Sequence, residues 1–585
     1  MRLVAAIICF ALAAVMIGFG IAQRTVFAQA DEVSRAVSVT SDAPVTVIDG
    51  TALTALPGSQ TLTVRGDDKV FTAYGRTSDV LAWVGKASHN LVSMDAESGQ
   101  LISTLVRGTD ATVPDPNGSD LWLDQYLREK QVVLTVGVPA DVSFVVVADG
   151  TKPAPADISL AWPVDNSTPW SGTLIIGGAV ALLAGLILLL LAISHMRKSR
   201  GPRRRTQKMP RVPRKPLYKP SRKAIEKPVS GRRALMPIRV AGPLVVIGLT
   251  GALALSGCSI VATPAAEATV TANPSASTDG TAPVSIAPAA TVRQVQRIIG
   301  EISKVTAGAD TAKDATLLAT RLDGAALELR VANYAIRNAD ASVTALPPIP
   351  SGPVKLTLPQ QTDTWPRTIL AVVQDDKDPT VPPVAIFLNQ ADARSNYRAS
   401  YVIALEPSRG IPDVAPAAVG APRLALDSPL LKLSPTAAAL AYADILETDS
   451  GSKSFADFDG TSDSLRAAVG LAKKKEVRAA LPTTASVAFG HAIGPAEAIA
   501  LATNDAGAIV AVHLYESTTV VPVEAGAAVN PAGQVKALSG LAISTKGVVA
   551  TYGDQLLFYV PPAGSDAKII LLGYSQGLVK AREIA

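Results

Sequence analysis

The sequence predicts a membrane-anchored multidomain chain, with an all-β sandwich or jelly-roll module, an α+β module that reads as two tandem units, and three transmembrane-type helices. Three observations carry this. Three long runs have no charged residue, the basic residues are concentrated between two of them, and the hydrophobic period changes from one side of these runs to the other. Of the 585 residues 48% are apolar, 18% charged and 4% aromatic. Soluble domains carry about 25% charged residues, so an entirely soluble protein is disfavoured. Two cysteines exclude a disulfide scaffold and any CxxC-type site.

The first run, Leu3–Ala22, lies within an N-terminal segment 1–30. About 20 residues suffice to cross a bilayer core as a helix. Ala28-Gln29-Ala30 offers a small-x-small cleavage site, so this segment is either an uncleaved anchor, the preferred reading given its length, or a removed signal peptide. Residues 31–165 follow as short strands bounded by Gly, Asp, Asn or Pro: Val45–Ile48, Thr61–Val64, Val70–Tyr74, Val80–Val84, Leu101–Val106, Val132–Val136 and Val142–Val147. Such spacing predicts an antiparallel sandwich, with helical periodicity only around Leu121–Leu127. Asp115–Asp120 has calcium-like oxygens, but its spacing departs from an EF-hand loop and matches a plain turn.

The second span covers residues 170–193, and a basic Pro-rich loop follows at 194–239. From Arg197 to Arg239 there are 17 Lys/Arg and one acid, a net +16 that leaves −11 for the rest of a chain whose total is +5. Positive charge flanking apolar spans marks the cytoplasmic side, so this loop lies inside and both large modules lie on the extracytoplasmic side. Its seven prolines and near absence of aromatics predict disorder and do not fit a nucleic-acid face. Arg203, Arg204, Arg205 and Lys215 are candidates to touch the anionic inner leaflet; a topology signal alone explains them equally well.

The third run, Val240–Ala266, supplies a transmembrane helix or internal lipoprotein signal at 240–262. It contains Leu255-Ser256-Gly257-Cys258, which resembles a bacterial lipobox; the resemblance implies lipidation of Cys258 and cleavage before it. The basic residues ahead of the run and the Ala/Thr/Pro/Ser-rich stretch 263–291 behind it also look like a lipoprotein signal and tether. The internal position departs from the family pattern, and a plain third span with an incidental cysteine is the alternative.

Beyond the tether, an α+β module at 292–430 and a second at 431–585 repeat one plan. Helices at Val292–Ala307 and Thr311–Arg337 precede strands at Val354–Leu358, Thr368–Val373, Val384–Leu388 and Tyr397–Leu405. Helices at Pro435–Leu446 and Asp463–Leu481 precede strands at Ser486–His491, Ala498–Thr503, Gly507–Tyr515, Leu541–Thr545, Gly547–Tyr552, Gln555–Tyr559 and Lys568–Leu572. The order resembles nuclear-transport-factor-2-like cones, in which helices pack on a curved sheet.

Gly573-Tyr574-Ser575-Gln576-Gly577 matches GxSxG and looks like the cutinase elbow. Hydrolases of that kind place their acid and histidine after the serine, and only eight residues remain here, none of them His. The four histidines, His89, His195, His491 and His513, form no metal-spaced pair, and Asp375–Asp378 reads as a solvated turn. No catalytic residue, metal site or cofactor is assigned. The chain resembles uncharacterised membrane-anchored lipoproteins of high-GC Gram-positive bacteria. The expectation is a non-enzymatic protein of the cytoplasmic membrane whose partners are membrane lipid and an envelope polysaccharide or protein, and not nucleic acid. The alternative is an envelope enzyme, a hydrolase or transferase accessory, with its site in the C-terminal module.

Overall fold

The computed structural model describes residues 1–27, 32–164, 169–198, 286–375, 378, 380–407 and 409–585. Ala28-Gln29-Ala30, Arg203, Arg204, Arg205, Lys215, Asp376, Lys377, the third apolar run and Leu255-Ser256-Gly257-Cys258 lie outside the described residues. The first part of the chain runs α1 (Arg2–Thr25), β1 (Glu32–Ser38), β2 (Val45–Ile48), α2 (Gly50–Leu53), β3 (Gln60–Arg76), α3 (Thr77–Val84), β4 (His89–Met94), β5 (Leu101–Val106), β6 (Asp124–Val136), β7 (Val142–Val147), β8 (Asp157–Pro163) and α4 (Pro169–Lys198).

Among the described residues, two helices are long and apolar enough to cross a membrane, Leu3–Thr25 and Trp170–Arg197, with mean hydropathy 2.7 and 2.9. They pack antiparallel through small residues. A Cβ on Gly178 would stand 2.6 Å from Ile17 Cγ1 and 3.2 Å from the Ala13 carbonyl oxygen, and one on Gly20 would stand 2.7 Å from Ile175 Cγ1. Close backbone approach of this kind is how helices associate where lipid removes the hydrophobic drive. Elsewhere Ile7, Val15, Val180 and Leu183 are more than half exposed, an apolar surface poorly suited to water.

Residues 32–164 differ from a sandwich of two separate sheets. One eight-stranded sheet runs β1-β8-β3-β7-β2-β4-β5, with β6 against β3. The long β3–β6 ribbon shifts register between Arg65 and Lys69; β8 pairs with β3 before that break and β7 after it. A bulge bends a strand. The ribbon therefore feeds two arms that fold over a shared core of Leu62, Leu134, Leu160 and Trp162 from one and Ile48, Val92, Phe144 and Val146 from the other. β2 and β4 pair in parallel, and every residue of β2 and β7 is buried, which is why both are mostly apolar, with Thr46 and Ser143 the buried polar members.

Two expectations fail here. Val80–Val84 is not a strand but the second half of α3, whose Val80, Trp83 and Val84 cover the outer face of β2 and β7. Leu121–Leu127 is not helical: it is a turn followed by the start of β6, and the turn brings Trp122 edge-on to Trp83 at 5.3 Å. The residues whose periodicity suggested a helix serve a packing corner instead, with Leu121 and Trp122 in the core against α3.

The remainder carries α5 (Val292–Ala312), α6 (Ala315–Leu318), α7 (Gly324–Ala339), β9 (Val354–Pro359), β10 (Arg367–Val373), β11 (Val384–Gln390), β12 (Arg398–Leu405), α8 (Pro435–Thr448), α9 (Ser464–Val469), α10 (Leu471–Ala480), β13 (Ala485–Ile493), β14 (Ile499–Ala502), β15 (Ala508–Pro522), α11 (Gly533–Ser539), β16 (Val548–Val560) and β17 (Ile570–Glu583). A capping box starts α5, Thr291 and Gln294 satisfying each other's backbone amides. The tether ends sooner than its composition suggests: Ala289 and Ala290 are buried, and Ala289 N donates to Gln360 O at 2.7 Å.

The two tandem sets of elements share a single sheet, β13-β15-β16-β17-β12-β11-β10-β9, with β14 also on β15. Among the described strands, the two halves of the sheet are joined edge to edge by Ala404↔Tyr574 and Leu405↔Gly573 on β12 and β17. α5 and α7 cover one face of the first half, α8 and α9 cover one face of the second, and the two remaining faces contribute to a common core with Phe387, Tyr401, Ile509 and Leu557. Leu541–Thr545 forms no strand, and the two runs around Gly553-Asp554 are one strand, β16.

Candidate functional site

A sheet joined through two residue pairs must open on either side of them. β12 donates Val402 N to Gln555 Oε1 at 2.8 Å and Ala404 N to Ser575 Oγ at 3.2 Å, so side chains take over where the ladder stops. α7 lies in the opening: a Cβ on Gly577 would stand 2.6 Å from Leu329 Cδ1. What remains is a cleft of about 570 Å³ walled by Leu329, Leu346, Pro347, Pro348, Val402 and Tyr574.

Its polar groups are already engaged. Arg330 bonds Asp310 Oδ2 at 2.6 Å and Pro347 O at 2.7 Å. Ser464 Oγ donates to the Glu406 carboxylate and lies 3.3 Å from the Tyr574 hydroxyl. Ser575 sits in the middle of β17, not at the strand-to-helix turn that exposes a nucleophile. His513, Gln555 and Ser575 occupy one row across three strands, which separates histidine from serine by two strand spacings, roughly 10 Å. That is too far for direct proton transfer.

His513 is almost fully buried and its Nδ1 has no hydrogen-bond partner, while Nε2 lies 3.7 Å from Glu328 Oε2. Burial lowers its pKa to about 4, against the opposing pull of Glu328, so the ring is neutral at pH 7. His491 Nδ1 pairs with Glu447 Oε2 at 3.2 Å and His89 Nδ1 with Ala87 O at 3.1 Å.

A second, smaller hollow of about 170 Å³ lies beside α10 and holds Lys474, Glu516, Tyr552 and Gln576. Lys474 Nζ pairs with Glu516 Oε1 at 3.0 Å, both side chains about one-tenth exposed. Asp554, on β16, stands directly between Leu514 of β15 and Gln576 of β17. It is fully buried, and neither carboxyl oxygen has a well-aligned hydrogen bond. Burial, then the charge of Glu516, pushes its pKa well above the ordinary carboxylate range, with Gln576 and Lys474 opposing. The site therefore favours the protonated form of Asp554.

Sequence reading missed this cluster. Gly553-Asp554 looks like a turn between strands, and Lys474 belongs to an Ala-Lys-Lys-Lys-Glu run that looks like a solvated helix face. The available signal was an acid at an inward-facing position of a 13-residue strand. Asp115 Oδ1 accepts Asn117 N at 2.9 Å as a turn residue does, whereas Asp120 turns away to bind Arg321. The residues nominated for lipidation and inner-leaflet contact all lie outside the described residues.

No curated protein and no solved structure matches the chain. One family model does: it covers residues 286–583, from just before α5 to the last residue of β17. With just over half of its length matched, and with both halves of the nine-stranded sheet inside a single match, the chain belongs to the family described as domain of unknown function DUF8094.

Proposed function

We propose that the protein is a non-enzymatic component of the cell envelope, anchored in the cytoplasmic membrane, that presents the cleft between β12 and β17 to an envelope polysaccharide or protein. The observation that carries this reading is the state of the cleft's polar groups. Arg330, Gln555 and Ser575 hold the fold together, the walls are aliphatic and proline-rich, and the buried His513 stands two strands away from the serine. Catalysis needs an acid, base or nucleophile free to act at the reacting atom, whereas binding needs a shaped apolar wall with a few fixed polar groups.

Anchoring rests on α1 and α4 and on chain parity. Residues 32–164 and 286–585 pack on each other, so they occupy one compartment. If α4 crosses the bilayer, the chain crosses back between residues 199 and 285, and Val240–Ala266 is the run suited to it. The same run carries Cys258, whose lipidation would exchange a spanning helix for an acyl anchor.

The cleft reading is tested by titrating envelope polysaccharide fragments and periplasmic-type peptides against the detergent-solubilised chain by calorimetry. Leu346→Trp, which fills the cleft, should lower the affinity of any ligand found at least 10-fold. Binding unaffected by that substitution removes the assignment. Reporter fusions after Lys215 and at Ala585 should report opposite sides of the membrane.

A further inference from the structure

We infer that residues 32–164 form a dedicated docking partner for residues 286–585 and hold them without help from the connecting chain, so that the extracytoplasmic body persists as two associated fragments once the chain is cut between 199 and 285. The surface joining them is built like a permanent interface. Arg367 of β10, with no exposed side-chain surface, reaches across to Asp79 of α3, Nη2 to Oδ1 at 2.6 Å, and lies over the Trp365 ring at 3.8 Å. Asp79 also receives Arg76 Nε at 3.0 Å, and Arg76 in turn donates to Pro288 O at 2.8 Å. A second buried pair joins Arg321 to Asp120, whose Oδ2 also accepts Tyr397 N at 2.9 Å.

The rest of the surface follows the same pattern of donor on one side and acceptor on the other. Arg394 caps the end of α3, donating to Trp83 O at 2.8 Å and Val84 O at 2.9 Å, where a helix leaves carbonyls unbonded and favours positive charge. Gln294 Nε2 donates to Leu121 O at 2.9 Å. Ala393 joins Trp83, Trp122 and Val80 in one apolar core.

Separation would return the apolar core shared by Val80, Trp83, Trp122 and Ala393 to water and would break the cross-module hydrogen bonds of Arg394, Gln294 and Arg321 together, and re-exposing packed apolar surface is disfavoured. The covalent link contributes little by comparison. More than a hundred residues separate the modules, and a long connection confers an effective concentration no better than millimolar, falling with length. Scission before Cys258 would leave one fragment bearing α1 and α4 and another bearing the family domain, still one body. That natural position rests on the lipobox reading; the association does not.

The experiment uses the full chain in detergent micelles, with a protease recognition sequence inserted after Lys215 and an affinity tag after Ala585. After cutting, the N-terminal fragment should co-purify with the tagged fragment at equal stoichiometry through a wash at about 1 M salt, which screens surface charge. Separation of the wild-type fragments overturns the inference. Asp79→Ala combined with Asp120→Ala should lower co-purification at least 10-fold after cutting. Arg394→Glu, which alters only the contact with the α3 terminus and leaves both module cores intact, should lower it in the same direction. Undiminished retention in both variants also overturns the inference, because the membrane helices would then be holding the fragments.

Discussion

Asp79 and Asp554 are both almost completely buried, at 2% and 0% exposure, yet they are opposite kinds of residue. Asp79 sits at the junction of two modules and receives two guanidiniums, one of them from the other module. Asp554 sits under α10 within one module, beside a Lys474–Glu516 pair already complete without it. Burial alone does not decide what a carboxyl group does; the charge brought to it from elsewhere in the chain does. Asp120 falls between the two, since burial pushes its pKa upward despite Arg321 and Arg297 nearby.

The largest expected effect tests the first half of that contrast. Asp79→Ala leaves Arg367 buried without its carboxylate and should destabilise the detergent-solubilised protein by about 3–5 kcal/mol in chemical denaturation. Replacing both members, Asp79→Leu with Arg367→Met, should restore most of that stability, because exchanging a whole buried pair for apolar groups is close to neutral. Equal losses in the single and double variants would show that the pair is incidental to docking.

His513 gives the next largest effect and extends the contrast to a base. Its folded pKa of about 4 lies below the ordinary value of 6.5, so above pH 6.5 both folded and unfolded states are neutral and nothing is lost. As pH falls from 6.5 towards 4 the unfolded chain takes up a proton that the folded one refuses. Stability should drop over that window by on the order of 3 kcal/mol, and His513→Asn should flatten the dependence whatever its absolute stability. An unchanged slope would mean that Glu328, against the opposing Lys580, holds a proton on the ring.

What was legible in the sequence divides along the same line. β9 to β12 and α5 follow from short apolar runs and from Val295, Ile298, Ile299 and Ile302 at helical spacing, because those signals are local. The shared sheet is not local: it depends on two residue pairs between β12 and β17. Nor is the docking surface, where Arg367 and Asp79 lie 288 positions apart and each looks like an ordinary surface charge. Asp554 was hidden for another reason. A Gly-Asp step in an apolar run is the usual mark of a turn, and only the register of β16 against β15 and β17 shows that the strand continues through it.

A smaller effect tests Asp554 itself. Because its folded pKa is raised, the penalty of keeping it neutral is absent below about pH 4, where the unfolded carboxyl is also protonated, and grows as pH rises. Asp554→Asn keeps the shape and removes the titration, so at pH 7 it should be neutral or stabilise by about 1–2 kcal/mol, opposite in sign to Asp79→Ala. Destabilisation by Asp554→Asn at pH 7 would mean that the acid is ionised and bound to something essential.

The smallest effect concerns Ser575, a polar group that is neither stranded nor charged. Its hydroxyl accepts the Ala404 amide at the edge of the cleft, and Ser575→Ala leaves that amide to solvent at the opening. The loss should be at or below about 1 kcal/mol, the net worth of one such hydrogen bond. Hydrolysis of a p-nitrophenyl ester should be the same in variant and wild type, since the serine lies mid-strand with its oxygen engaged and no histidine within reach. A loss of 100-fold or more would place a base beside Ser575 that the strand register puts two spacings away, and the cleft would have to be read as an active site.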